Sequence, residues 1–422
     1  MKKIVAQALM LGFLAVQPVQ ALINIPSDGS DGAAHFSGAV QIDLGAAPTA
    51  NWDAASTTPG RGIYDPEKWA VVFKYSSVTI DPITTVTFKN HPTGAPVVWL
   101  VQGSVLSSGS IVLDGQVGHS PTERYYAEGG PGGFRGGVAD LPLSYGSSGF
   151  GIGGGRGWIL TNPSGGAYAT RGGYSSQPAM TYGNPRVLPL IGGSGGSGAA
   201  FATGTQRGGG GGGGAILIAC RDTIALDRDV ITGDGGIYAC GGSGAAGGSG
   251  GGIRLVAERI VGNGCVLAIG GGVGGGGTMG EPGGDGRICL EAAVLTLAGP
   301  AGPGATIIQP VEKTPPIWPA ASTPRIRLVS LGGKPLPPDP GGPYAPGGIS
   351  VTLDAAGNQE LVLQTENVPT TWTVNVLRTP LTGVVEGFPA AFQSGTEASA
   401  TWTATINTVT GVQALQARAF MP

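Results

Sequence analysis

Charge is scarce in this sequence: 12% of its 422 residues are Asp, Glu, Lys or Arg, with three histidines and four cysteines. With a net charge of −3 the chain lacks the Lys and Arg excess that neutralises phosphates, so a nucleic-acid-binding role is excluded. No two cysteines stand in a Cys-x-x-Cys pair, and zinc or dithiol redox chemistry therefore lacks its usual spacing. No stretch carries the 3.6-residue apolar period of an amphipathic helix. Beyond residue 21 no apolar run approaches the ~20 residues that cross a bilayer, so no membrane-spanning helix is expected.

What the chain has is glycine, 81 residues of it, with 33 prolines and a hydrophobic content of 41% that still allows a core. At the start, Lys2 and Lys3 precede an apolar run from Ile4 to Val16 and a small-residue exit, Val19-Gln20-Ala21. This is the pattern of a secretory signal peptide with cleavage after Ala21, and it predicts a secreted or cell-surface protein of a bacterium. The cysteines Cys220, Cys240, Cys265 and Cys289 fall in one stretch. In an exported chain an even count suggests disulfides, with three pairings open; burial as small hydrophobes is the alternative.

Short β-branched and aromatic runs begin at Trp69: Val71-Val72-Phe73, Val78-Thr79-Ile80, Val86-Thr87-Phe88, Val97 to Val101 and Ser110 to Leu113 read as strands between turn residues. Before them, residues 22–68 read as an N-terminal arm without periodicity. Glycine dominates from about 118 to 214 and ends in the unbroken run Gly208 to Gly214. Aromatics punctuate this tract, at Tyr125, Tyr126, Phe134, Tyr145, Phe150, Trp158, Tyr168, Tyr174, Tyr182 and Phe201. Disordered segments are poor in aromatics, so an ordered excursion of closely packed backbones is expected.

A repeat follows. Ala215 to Cys220, Gly252 to Ala257 and Arg287 to Ala292 superpose with Ile216, Ile253 and Ile288 in one column and Ile218, Leu255 and Leu290 in the next. Offsets of 37 and 35 residues are those of solenoid units. Second strands (Thr223 to Leu226, Arg259 to Val261, Val294 to Leu297) and a third (Val230 to Thr232, Val266 to Ile269) complete the units, with Gly-rich loops near 233–252 and 270–286. Strand alternation turns Ile253, Leu255 and Cys220 inward and Arg254, Glu291 and Cys289 outward, so a charge change at Arg254 is expected to be nearly silent. The fold class expected is all-β: a glycine-rich parallel β-solenoid over 69–299, a Pro-rich extended spacer over 300–324, and an antiparallel β-sandwich over 325–422. The alternation Ala398, Ala400, Trp402, Ala404, Ile406 against Ser399, Thr401, Thr403 and Thr405 supports the last.

Catalytic motifs do not survive the composition. Gly-x-Ser-x-Gly occurs around Ser194 and Ser249, but His35, His91 and His119 all precede both serines, whereas the hydrolase order places the histidine after. Gly-x-Gly-x-x-Gly occurs at Gly193 and Gly242 without opening a helix. The carboxylates Asp222, Asp227, Asp229 and Asp234 lack the Ca²⁺-binding nonapeptide pattern and read as solvated turn residues beside Arg221 and Arg228. No catalytic residue, metal ligand or cofactor is expected.

The runs Ser27 to Ala33, Tyr64-Asp65-Pro66-Glu67-Lys68-Trp69, Asn90-His91-Pro92, Ala95 to Val101, Pro131 to Gly137 and Gly252 to Ala257 resemble those of exported, glycine-rich bacterial β-helix proteins. The resemblance extends to Asn367-Val368-Pro369; it implies export and a β-helical fold and carries over no catalytic residue. The function expected is that of a non-enzymatic surface or matrix structural protein. A glycan-binding adhesin using the aromatic and Gly-rich loops is the alternative, ahead of a polysaccharide-active β-helix enzyme; the partners expected are polysaccharide or other cell-surface components.

Overall fold

The computed structural model describes residues 22–119, 126–138, 147–157, 163–173, 179–199, 208–228, 235–273, 280–302, 304–336, 352–380, 385–411 and 413–421. Outside them lie the expected signal peptide with Ala21, the expected strand Val230 to Thr232, Asp229, Asp234, and the aromatics Tyr125, Tyr145, Trp158, Tyr174 and Phe201. The described chain is all-β; its helical content is a single 3-10 turn, Leu44–Ala46.

Ten strands form a sheet that is parallel except for the short pairing of Ile63–Asp65 with Ala70–Ile80. The long strands Ala70–Ile80 and Gly252–Gly262 each pair with two successive partners, and Thr223–Leu226 bonds to both Val105–Ser107 and Gly252–Gly262, so the pairings close on themselves. Register follows the hydrophobic columns. Ile253 sits opposite both Ile216 and Ile288, and the column continues through Val97 to Val71. The next column runs Phe73, Trp99, Ile218, Leu255, Leu290. A second set stacks Val78, Val105, Ile224 and Ile260, and a separate five-stranded parallel sheet stacks Val40, Val86, Ile111, Ile237 and Val266. Except for half-buried Val40, these residues face one core and are nearly all fully buried, each contributing ~1.5–3 kcal/mol. Three strands of that system, Gly32–Phe36, Ala39–Asp43 and Ile63–Asp65, lie in the expected N-terminal arm, where such short segments gave no sequence signal.

Along the strands that carry Val72, Leu100, Leu217 and Val256 the other face of the ten-stranded sheet is buried too, which corrects the expectation for Arg254 and Glu291. Ala70, Val72, Leu100, Leu217, Val256 and Cys289 pack under Ile23, Ile25, Val187, Leu190 and Ile317. Parity is as expected, but the outward face meets protein instead of water. Covered on both sides, the strands Val97–Val101 and Ala215–Cys220 carry apolar residues without alternation, as buried parallel strands do. The Pro-rich stretch supplies part of the cover: Thr306–Ile308 pairs with Cys289 to Glu291, and Ile317 seats in the apolar layer.

Beside the sheet lies an array of extended glycine segments. The central run donates to three neighbours in rotation. Gly208, Gly211 and Gly214 bond to the carbonyls of His119, Gln116 and Leu113; Gly209 and Gly212 to those of Gly137 and Phe134; Gly210 and Gly213 to those of Ala246 and Ser249. Its own carbonyls accept from Gly130, Gly193, Gly196, Gly242, Ala245 and Gly252. A three-residue period with successive amides directed to different neighbours is that of a left-handed, polyproline-II-like helix, packed here as a bundle. The spacing admits no side chain: a Cβ on Gly212 would stand 2.0 Å from the Gly193 carbonyl oxygen, and one on Gly210 would stand 1.8 Å from that of Gly242.

The C-terminal strands form one seven-stranded antiparallel path, Lys334–Pro335, Arg325–Leu331, Gly357–Glu366, Ser399–Thr408, Glu386–Thr396, Thr373–Pro380, Gln413–Phe420. It is a single curled sheet in place of the two expected. Glu386–Thr396 bridges the halves by pairing on both sides, so Leu361, Leu363, Val374, Val376, Trp402 and Ile406 share one core.

Gly212→Ala must displace backbone and is expected to destabilise by several kcal/mol in denaturant unfolding. Gly272→Ala, where the nearest atom is 3.7 Å away, is expected to stay within ~0.5 kcal/mol of the parent. Equal effects would show that the glycines are not packed backbone to backbone.

Candidate functional site

The two Gly-x-Ser-x-Gly serines meet inside the glycine array. Ser194 N donates to Ser249 Oγ at 2.8 Å, Gly153 N donates to Ser194 Oγ at 2.9 Å, and Ser194 Oγ donates to the Tyr182 hydroxyl at 3.0 Å. Both serines are fully buried. Their hydroxyls serve neighbouring strands, an arrangement that holds backbones together and presents no nucleophile to solvent.

The four cysteines are free thiols: Cys220, Cys265 and Cys289 are buried on three separate strands, and half-buried Cys240 follows the strand Gly236–Tyr238. Burial pushes the Cys220 and Cys289 thiols up to about 12 and the Cys240 thiol up to about 11. Such thiols are poor nucleophiles. Asp222 accepts from Ser104 Oγ at 3.0 Å and Thr223 Oγ1 at 3.1 Å, while Asp227 is exposed. Among the described residues no group of three or more His, Cys, Asp or Glu is placed to hold a metal. Among them, too, no helix is long and apolar enough to cross a membrane.

The aromatics of the glycine tract collect at its margins. Tyr168 and Tyr182 stack at 4.4 Å, Tyr126 meets Phe150 edge-on at 5.4 Å, and Arg135 lies over Tyr126 while bonded to Glu128. Tyr168 donates to the Ile191 carbonyl and Tyr182 to that of Gly192, and burial raises both phenols. These rings close the array.

Two charged features went unread in the sequence. Glu291, fully buried, is held by Arg254 at 2.6 Å and Arg186 at 2.7 Å, and Arg186 also bonds Glu312 at 2.7 Å. Arg254 sits one rung from Glu291 on the covered face, so the pair is dictated by register. The partner Arg186, 105 residues away, arrives on the segment that covers it. The second feature is a cleft of about 470 Å³ where three regions converge. The edge of the glycine array contributes Ile152, Met180 and Tyr182, and the start of the C-terminal sheet contributes Arg325; Trp372 and Arg418 close the far side. A smaller hollow beside it shares Ile152, Met180 and Arg418 and adds Arg156. No signal along the chain could have joined positions so far apart.

His91 is nearly buried, stacked on Tyr64 at 4.1 Å with Nδ1 2.7 Å from Thr93 Oγ1. Burial pushes its imidazole down to about 4, offset in part by Asp43.

Glu291→Gln leaves Arg254 buried without its counter-charge and is expected to cost ~3–5 kcal/mol in denaturant unfolding. Glu312→Gln, on a half-exposed partner, should cost under ~1 kcal/mol. The reverse ranking would remove the network as a clamp. The unfolded His91 titrates near ~6.5, so as pH falls from 6.5 to 4 the unfolded chain takes up a proton that the folded chain refuses. The stability this residue contributes is present above 6.5 and is lost through that window. His91→Phe keeps a ring against Tyr64 and should melt with a shallower acid decline than the parent; parallel melting curves would contradict the assignment.

No family model, curated protein or solved structure matches the chain.

Proposed function

We propose that this chain is an exported, non-enzymatic structural protein of the bacterial cell surface or extracellular matrix, and that its parallel strands stack as successive coils of a β-solenoid. The reading is carried by one observation: Gly208 to Gly214 are buried, and every amide donates to a neighbouring segment. Glycine in such an array offers no side chain for chemistry or for protease recognition. What it provides is a dense, uncharged body whose rigidity comes from the backbone itself. The shared inward register of Val71, Val97, Ile216, Ile253 and Ile288 supports the stacking of coils. Export rests on the Lys2, Lys3 and Val19 to Ala21 pattern.

Two measurements test it. Protein recovered from its native source should begin at Leu22 or within a residue or two; a cytoplasmic protein retaining Met1 would overturn export. In hydrogen exchange, the amides of 208–214 should be protected to the same degree as those of Val97–Val101. Exchange of the glycine run at coil rates, with the strand still protected, would overturn the structural role.

A further inference from the structure

Several covered arginines in this protein are paired with carboxylates, while others, such as Arg287, bond to a carbonyl. Arg254 and Arg186 share Glu291, Arg135 holds Glu128, and Arg378 holds Glu386. Arg418 also has no carboxylate partner among the described residues. Its Nη1 lies 2.9 Å from the thioether sulfur of Met180, and its Nη2 reaches the Ile152 carbonyl and the Gln416 side-chain oxygen. Its Nε is buried with no hydrogen-bond partner among the described residues, as is that of Arg378, but Arg378 has Glu386 on its Nη2 to balance its charge. Leaving a buried charged donor unanswered costs more than leaving a neutral one, and such a group calls for an explanation. Burial, reinforced by the nearby Arg156 cation, depresses the Arg418 guanidinium. Both causes would be relieved by an anion at this point.

The surroundings say what kind of anion. Arg418 lines both the 470 Å³ cleft and the adjoining hollow; Arg325 stands on the first and Arg156 on the second, and among the described residues no lining residue of either is acidic. The volume is within the ~300–1,000 Å³ of small-ligand sites. The remaining wall is apolar and aromatic, with Trp372, Phe420 and a half-exposed Met180. Flat rings of this type accept the C–H face of a pyranose, while a guanidinium fork matches a carboxylate in two parallel hydrogen bonds. A small inorganic anion would leave the aromatic wall unused, and a neutral sugar would make no use of the positive charge of Arg418 and Arg325.

We propose that this cleft binds an acidic saccharide, a uronate unit whose carboxylate is held by Arg418 and Arg325 and whose apolar ring face lies on Trp372. The site goes beyond the scaffold role and would give an exported structural protein a point of attachment to anionic polysaccharide. It stands or falls separately from the exchange and N-terminal measurements above.

Calorimetric titration of the intact protein with tetragalacturonic acid tests it, with cellotetraose and tetraglutamate as comparison ligands. Tetragalacturonate should bind, and each comparison ligand should bind at least tenfold more weakly. Arg418→Gln should weaken tetragalacturonate binding at least tenfold, and Trp372→Ala about fivefold. Arg418 also braces Ile152, so a second substitution, Arg325→Gln on an exposed side chain, guards against misfolding and should weaken binding severalfold with an unchanged melting temperature. Absence of binding would overturn the proposal, as would equal affinity for cellotetraose. Equal affinity for tetraglutamate would show a peptide site instead, and parent-like affinity in both arginine variants would place the saccharide elsewhere.

Discussion

Backbone approaching backbone, with no room for a Cβ between, is the constraint on which this molecule depends. In the run Gly208 to Gly214 each amide has a partner and successive amides turn to different neighbours, but seven ordered glycines forgo ~1–2 kcal/mol of backbone entropy apiece, and glycine more than any other residue. A backbone hydrogen bond returns a net ~0.5–1.5 kcal/mol. The two nearly cancel, so the array does not organise itself and needs a fixed border. That border is the parallel sheet: Gly214 runs directly into Ala215–Cys220, and the Gly252 amide bonds back to the Gly214 carbonyl at the point where the strand Gly252–Gly262 begins. The columns Ile216, Ile253 and Ile288 set the register, and the glycines upstream inherit it.

The same sheet must be dry on both faces, because the apolar rows Leu217 and Val256 look away from the main core. Covering them draws in segments that are otherwise irregular: the start of the described chain, the stretch around Val187 to Leu190, and part of the Pro-rich region. Within this cover Arg186, Arg254, Glu291 and Glu312 balance two positive and two negative charges. A buried ion network is weak as a source of stability, since apolar residues of similar volume often do as well. Its effect is positional: Arg186 can satisfy Glu291 in one docking of its segment only.

Strand periodicity made the repeat legible, because three segments with one parity and near-equal spacing can bury two columns only in register. The early strands Ala70–Ile80 and Val97–Val101 were visible as apolar runs, but not as members of the same columns, since the glycine array interrupts the spacing between Val101 and Ala215. Alternation also revealed which way Arg254 points and misled about what it meets, for the covering segments have no pattern of their own. The runs around Asp65 and Asn90 prove to be local fasteners. Asp65 accepts from the amides of Trp52, Glu67 and Lys68, and Asn90 donates to the Gly129 carbonyl at the edge of the array. Nothing in the chain pointed to the cleft, because Tyr182, Arg325, Trp372 and Arg418 are brought together only by the docking of whole elements.

An array whose few side chains, such as Ser194 and Ser249, are buried and bonded to their neighbours can do chemistry or recognition only where it stops, and the way it stops shapes what stands there. Tyr182 ends one segment by donating to the Gly192 carbonyl and accepting from Ser194, and its ring is stacked on Tyr168. That ring also lines the cleft. Arg287 closes the same corner, its Nε bonded to the Tyr182 carbonyl and its guanidinium over Tyr168. One wall of the cleft is therefore fixed by the interior of the array and the other by the C-terminal sheet. A ligand bridging Arg418 and Trp372 would be gripped between two rigid bodies, with little side-chain entropy left to lose on binding.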